Sequence, residues 1–217
     1  MSRHYLAAAA GAALLMAAGA ASAQAAFTPN APGTWEVTVR ATDVIPDNPH
    51  TIVTAAGADS GLKAHVGADV MPTVNFTYFF TDKLAAELVL GTTHHDIRAI
   101  GGATNALVRE QWVLPPVLAL QYHPLPASRI SPYVGAGVNY MMFYSGHDEP
   151  GFHTDLKNGF GWVLQGGTNV ALNGPWYLNL DAKKIFFKTT ATINAGALKS
   201  HIGLDPWVLS GGFGRKF

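Results

Sequence analysis

Apolar residues recur at every second position along most of this chain, in about eight segments of roughly ten residues. Trp35, Val37, Val39 and Ala41 alternate with Glu36, Thr38, Arg40 and Thr42, and the pattern returns at 70–80, 84–90, 112–123, 133–142, 162–172, 176–182 and 206–217. A side-chain period of two is the period of a strand and puts each set on its own face of a sheet. Thr81-Asp82-Lys83, the proline-rich run 123–131 and Asn173-Gly174-Pro175 read as short turns, whereas 44–67, 91–111, 143–159 and the stretch before Pro206 read as long loops. The terminal strand carries Trp207, Leu209, Gly211, Phe213, Arg215 and Phe217 on one side and Val208, Ser210, Gly212, Gly214 and Lys216 on the other. An edge this apolar would aggregate if left unpaired in water. It makes sense paired with the first strand in a closed cylinder whose outside is lipid.

Only 13% of the residues are charged, against a usual ~25%. A water-facing surface would be short of charge, and a lipid-facing one needs almost none. Lys+Arg and Asp+Glu both count 14, so no charge excess points to nucleic acid. The absence of cysteine excludes disulfides and thiolate chemistry. Residues 1–23 have the form of a secretory signal peptide: Arg3, an Ala-rich apolar run from Leu6 to Ala20, and the small-residue site Ala21-Ser22-Ala23. Ala23-Gln24-Ala25 fits the same cleavage rule. Residues 24–33, with two prolines and no periodicity, read as a periplasmic leader. Beyond Ala26 no run approaches the ~20 apolar residues of a spanning helix, so a membrane protein built from this chain must cross with strands.

These observations predict an all-β fold: an eight-stranded antiparallel transmembrane β-barrel over 34–217, with long extracellular loops and short periplasmic turns. The soluble rival, a lipocalin-like barrel, is apolar inside and polar outside. Here the greasier face is the one placed outward, and aromatics (Trp35, Tyr78, Trp112, Tyr122, Trp162, Trp176, Trp207) fall near strand ends, as interface belts require. Pro72, Pro115 and Pro116 each remove a ladder donor, which predicts a bulge or break. The inward positions grade vertically. Val89, Val113, Val117, Met141, Val163 and Val208 lie high, with Pro115 beside them. Thr38, Asn75, Thr77, Tyr133, Gln165, Asn169, Tyr177 and Asn179 lie low, together with Glu36, Arg40, Glu87, Gln121 and Asp181. Eight strands leave room for little but side chains. The low set should therefore plug the barrel, with Arg40 paired to Glu36, Glu87 or Asp181. The high set either packs the interior or forms an apolar pocket, open above, for a hydrophobic solute.

Leu114-Pro115-Pro116, Leu120-Gln121-Tyr122, the run Pro132-Tyr133-Val134-Gly135-Ala136-Gly137-Val138-Asn139-Tyr140, and Leu204-Asp205-Pro206-Trp207-Val208 with terminal Phe217 closely resemble the OmpW family of outer-membrane proteins, which includes the alkane-uptake protein AlkL. The resemblance runs from about Gly33 to the end. It implies a Gram-negative outer-membrane barrel whose narrow apolar channel passes small hydrophobic molecules, with lateral exit between strands into the bilayer. It also implies contact with outer-membrane lipid and lipopolysaccharide, and delivery by the barrel-assembly machinery through Phe217. Pro115 and Pro116, which weaken pairing in strand four, are the expected lateral gate. Two departures stand out. Lys183-Lys184 replaces the aromatic expected late in strand seven, which leaves open how the constriction is built, and Arg215 stands where an apolar residue is usual.

Other chemistries are weaker. His94-His95-Asp96, even with His50, His65, His147 or His153, offers no recognisable metal spacing, and adjacent strand histidines point to opposite faces. No serine sits in a Gly-x-Ser-x-Gly elbow, so neither an enzyme nor a cofactor is expected. A receptor barrel whose loops meet phage, bacteriocins or host surfaces is the alternative to a channel.

Overall fold

The computed structural model describes residues 26–217, so the signal segment 1–23 lies outside the described residues. The strands are β1 (Trp35–Ile45), β2 (His50–Thr54), β3 (Asp59–Val66), β4 (Asp69–Phe79), β5 (Leu84–Leu90), β6 (Thr93–Gly101), β7 (Thr104–Leu114), β8 (Val117–Tyr122), β9 (Ile130–Asp148), β10 (Thr154–Asp155), β11 (Gly159–Ala171), β12 (Trp176–Phe186), β13 (Lys188–Ile193), β14 (Leu198–Gly203) and β15 (Trp207–Lys216). Eight of them, in the order β1-β4-β5-β8-β9-β11-β12-β15, close into an antiparallel barrel. Terminal Phe217 closes the seam, exchanging backbone hydrogen bonds of 3.2 and 2.8 Å with Trp35.

The expected long loops are a correction: they are largely strand. The upper part of β9 pairs with β7, and β6, β3, β2, β14, β13 and β10 follow in a second sheet that carries the wall outward beyond the barrel. Its backbone groups bond to one another, and its faces need not segregate as sharply as those of strands bounded by lipid.

Within the barrel the alternation holds residue by residue. β1 buries Glu36, Thr38, Arg40 and Thr42 and exposes Trp35 and Val39; β8 buries Val117, Ala119 and Gln121 and exposes Leu118, Leu120 and Tyr122. Exposed apolar side chains in water would be a liability, and around a barrel they form a lipid-facing band. Trp35, Tyr122, Trp176 and Phe217 ring the end with the short turns, and Trp112, Tyr144, Trp162 and Trp207 ring the other. Arg215 fits the first ring by lying over Trp176 (5.6 Å) and Phe217 (4.7 Å).

Pro72 sits inside an unbroken β4, outward and opposite Ala41 of β1, while the ladder towards β5 begins only at Val74 opposite Leu90. Strand four does break at Pro115-Pro116, into β7 and β8. The leader crosses the turn end. Thr28 N donates to Gly174 O and Asn30 N to Pro126 O, both at 3.0 Å, and the Lys216 ammonium donates to Thr28 O (3.0 Å) and Asn30 Oδ1 (2.5 Å).

Candidate functional site

Burying a charge in a barrel costs several kcal/mol unless it is paired and hydrogen-bonded, and the lower lumen meets that demand with a connected network. Arg40 Nη2 donates to Glu87 Oε1 at 2.7 Å, and its Nη1 lies 4.0 Å from Asp181 Oδ1. Lys183 contacts Asp181 Oδ1 and, at 3.2 Å, Glu87 Oε2. The Tyr133 hydroxyl donates to Asp181 Oδ2 (2.8 Å), and Asn179 Nδ2 donates to Tyr133 (3.0 Å) and to Asn169 Oδ1 (2.7 Å). Asn169 continues to Glu36 Oε2 at 3.2 Å, whose other oxygen is 3.5 Å from Lys216 Nζ. Gln121 Oε1 accepts from His123 Nε2 at 3.1 Å, and His123 lies between the rings of Phe79 and Tyr133. The five charged or amide residues expected in the plug are therefore all buried at the floor. Glu36 pairs with Lys216, leaving Glu87 and Asp181 to Arg40. Lys183 was missing from the expectation. The alternation that turns Asp181 inward turns Lys183 inward too, one step past where strand seven was expected to end, while Lys184 faces out over Trp207.

Ser131 Oγ comes within 3.5 Å of His123 Nδ1, a serine–histidine contact that spacing in the sequence gave no sign of. The other imidazole nitrogen meets Gln121 rather than a carboxylate, and all three side chains are buried. The arrangement lacks the orienting acid of a nucleophilic triad. His94 and His95 point opposite ways: His94 against Trp112 and His95 inward to the Gly67 carbonyl (2.6 Å).

Above the floor lies an apolar cavity. Val89, Val113, Pro115, Val117, Met141 and Val208 line a narrow cavity of about 70 Å³. Val163, 1% exposed, packs in the same cluster. Sequence reasoning missed Val44, Met71, Phe143 and Ile185, which share the cavity. Val44 needed β1 to continue two residues further. Ile52, Ala64, Ala99 and Val108 form a second apolar cluster in the outer sheet, on β2, β3, β6 and β7.

The wall beside the cavity is incomplete. The β5–β8 ladder ends at Val89 opposite Val117, and the β6–β7 ladder starts at Thr93 opposite Val113. Between them Leu90-Gly91-Thr92 face Leu114-Pro115-Pro116, and neither ladder covers them. The prolines have no N–H to give. The Pro116 carbonyl is taken on its other side by Tyr140 N (3.1 Å) and Asn139 Nδ2 (3.2 Å). Gly91 lies so close to β4 that a Cβ there would sit 2.7 Å from Thr73 Cγ2. The upper rim of the gap is pinned by Asp69 Oδ2, which accepts from Thr93 Oγ1 (2.9 Å) and His94 N (2.8 Å).

The outer sheet is joined end to end by side chains. Arg109 Nη1 donates to Asp148 Oδ1 (2.6 Å) on β9 and to the Thr154 carbonyl (2.8 Å) on β10, and Thr154 N returns to Asp148 Oδ2 (3.2 Å). Burial raises the Asp148 carboxyl, but the hydrogen bonds from Arg109 and from Thr154 N–H outweigh it and hold the group below the usual carboxylate range. A depressed folded value means that the latch contributes fully above the unfolded carboxylate pKa of about 3.9 and is lost as pH falls through the lower folded value. Amide exchange in 149–156 is expected to show no opening between pH 7 and 5. Arg109→Gln should speed it about tenfold at pH 7, the worth of one hydrogen bond to a charged group.

A lipid-facing apolar band between two aromatic rings, an eight-strand ring closed on its own terminus and a buried, hydrogen-bonded polar floor define an outer-membrane β-barrel. The matches agree. The OmpW family model covers residues 31–217, so the chain belongs to the OmpW family of outer-membrane proteins. An uncharacterized outer-membrane protein of Sinorhizobium fredii is 35% identical over 94% of this chain and 93% of its own length. Outer membrane protein AlkL of Ectopseudomonas oleovorans is 30% identical over 71% of this chain and 69% of that protein. The crystal structure of OprG from Pseudomonas aeruginosa superposes with a TM-score of 0.81 at 29% identity, covering 88% of this chain and 99% of that one.

Proposed function

We propose that this barrel takes up small hydrophobic molecules passively, holding them in the apolar cavity and releasing them sideways into the bilayer. The observation that carries the reading is the conjunction of three features at one level: an apolar cavity, a hydrogen-bonded charged floor beneath it, and an unladdered stretch of wall beside it. A solute cannot descend without displacing buried ion pairs. The gap between Leu90–Thr92 and Leu114–Pro116 leads instead to the lipid-facing band, where an apolar molecule is most stable. Pro115 lines the cavity and Pro116 flanks it, so the prolines keep one edge of the gap free of donors.

Because the chain has no cysteine, the gap can be locked cleanly. Leu90 and Pro116 are opposite one another by extension of the flanking register. The pair Leu90→Cys/Pro116→Cys, oxidised, is expected to reduce uptake of an alkane-like probe into proteoliposome bilayers by tenfold or more, as an order of magnitude, with recovery on reduction. Full uptake by the oxidised, demonstrably cross-linked protein would contradict lateral release at this gap.

A further inference from the structure

Resting on that reading, we propose that the cavity selects solutes with an uncharged polar end and excludes carboxylates, and that Lys183 sets this limit. Lys183 reaches the cavity wall, whereas Arg40, Glu87 and Asp181 lie behind it and do not. Its ammonium faces Asp181 Oδ1 and Glu87 Oε2, the same two carboxylates that Arg40 holds. Two cations therefore meet two anions, and the lower pair Lys216–Glu36 cancels as well. Among the described residues no other Lys, Arg, Asp or Glu lines the cavity, and burial holds His95 at its upper end below the usual imidazole range.

This balance decides what can enter. A carboxylate stripped of water needs an unpaired cation, and none is on offer. An alcohol, ketone or ester oxygen is much cheaper to desolvate. An ammonium has three donors, and two of them face carboxylates. The third is available to a neutral acceptor at the end of an apolar chain. Beside it lie hydroxyls that can turn to suit such a group: Thr42 Oγ1 is 2.8 Å from Thr73 Oγ1 and 3.0 Å from Ser210 Oγ. The solute class is thus a hydrocarbon, or better a hydrocarbon with one neutral oxygen, seated with its polar end down.

Met71 and Met141 line the cavity while Met142 faces lipid, so the three methyl groups report separately. Protein labelled at the methionine methyls, in lipid nanodiscs at pH 8, is titrated with octane, 1-octanol and octanoate. Octane and octanol are expected to shift Met71 and Met141, octanol at the lower concentration, with octanoate leaving both unmoved. Glu87→Gln leaves one cation uncompensated and should bring octanoate binding about tenfold or more closer to that of octanol, the scale of one charge-assisted hydrogen bond. Asp181→Asn makes the same change of charge and carries the test if the first variant does not assemble. Lys183→Met should erase the preference for octanol over octane. Equal binding of octanol and octanoate by the unaltered protein would overturn the inference alone, as would folded charge variants that leave octanoate unbound. No shift at Met71 or Met141 with any of the three compounds would overturn the uptake reading with it.

Discussion

Replacing Arg40 with methionine is expected to lower the unfolding free energy of the barrel by about 3–5 kcal/mol, the usual result of removing one partner from a buried ion pair. The Arg40 side chain is 3% exposed and Glu87 and Asp181 are fully buried, so no water can take its place. Lys183 would be left alone between two carboxylates, and their repulsion is what the variant exposes. The same logic predicts repair. Arg40→Met/Glu87→Gln restores a one-to-one balance between Lys183 and Asp181 and should recover most of the loss, because a balanced pair and an apolar replacement differ little in net stability. Denaturant unfolding in detergent, followed by tryptophan fluorescence, measures both. A single variant within about 1 kcal/mol of the parent, a typical surface effect, would mean that the floor is hydrated and not a buried, hydrogen-bonded plug.

Val89→Trp is expected to reduce hydrocarbon uptake by tenfold or more while Leu88→Trp leaves it unchanged. The two positions are neighbours on β5, but Val89 lines the cavity beside the gap and Leu88 faces lipid. An indole at 89 would fill the space through which, on the proposed route, solute reaches the gap. Overpacking there also costs about 1–3 kcal/mol, so uptake is compared only after both variants show the heat-dependent gel shift of a closed barrel. Equal loss in the two, or loss at 88 alone, would place the solute path on the outside of the barrel wall.

The barrel was legible because lipid outside and a filled interior force opposite polarities onto alternate residues. Glu36, Arg40, Glu87, Gln121 and Asp181 could be put at the floor from phase alone, and Val89, Val117 and Val208 above it. The outer sheet was not legible. His50–Thr54 and Asp59–Val66 lack lipid on one side, so their polarity does not alternate cleanly, and their partners are remote: Ile52 pairs with Ser200. Nothing local reveals such a pairing. Lys183 was missed for a simpler reason, since strand seven runs to Phe186 and carries the alternation further than its apolar residues advertise. The gap lies between these cases. The prolines at 115 and 116 mark one edge in the sequence, but Gly91 as the other edge follows only from register.

On the proposed route solute leaves through the wall and not through the floor. Proteoliposomes containing the protein, mixed with a naphthylamine dye that brightens in hydrocarbon, measure both routes when sucrose permeability is followed in the same vesicles. Dye is expected to arrive in the bilayer faster than in protein-free vesicles, with sucrose permeability at the protein-free level. Sucrose entry that rises with protein content, or dye uptake no faster than in empty vesicles, would contradict it.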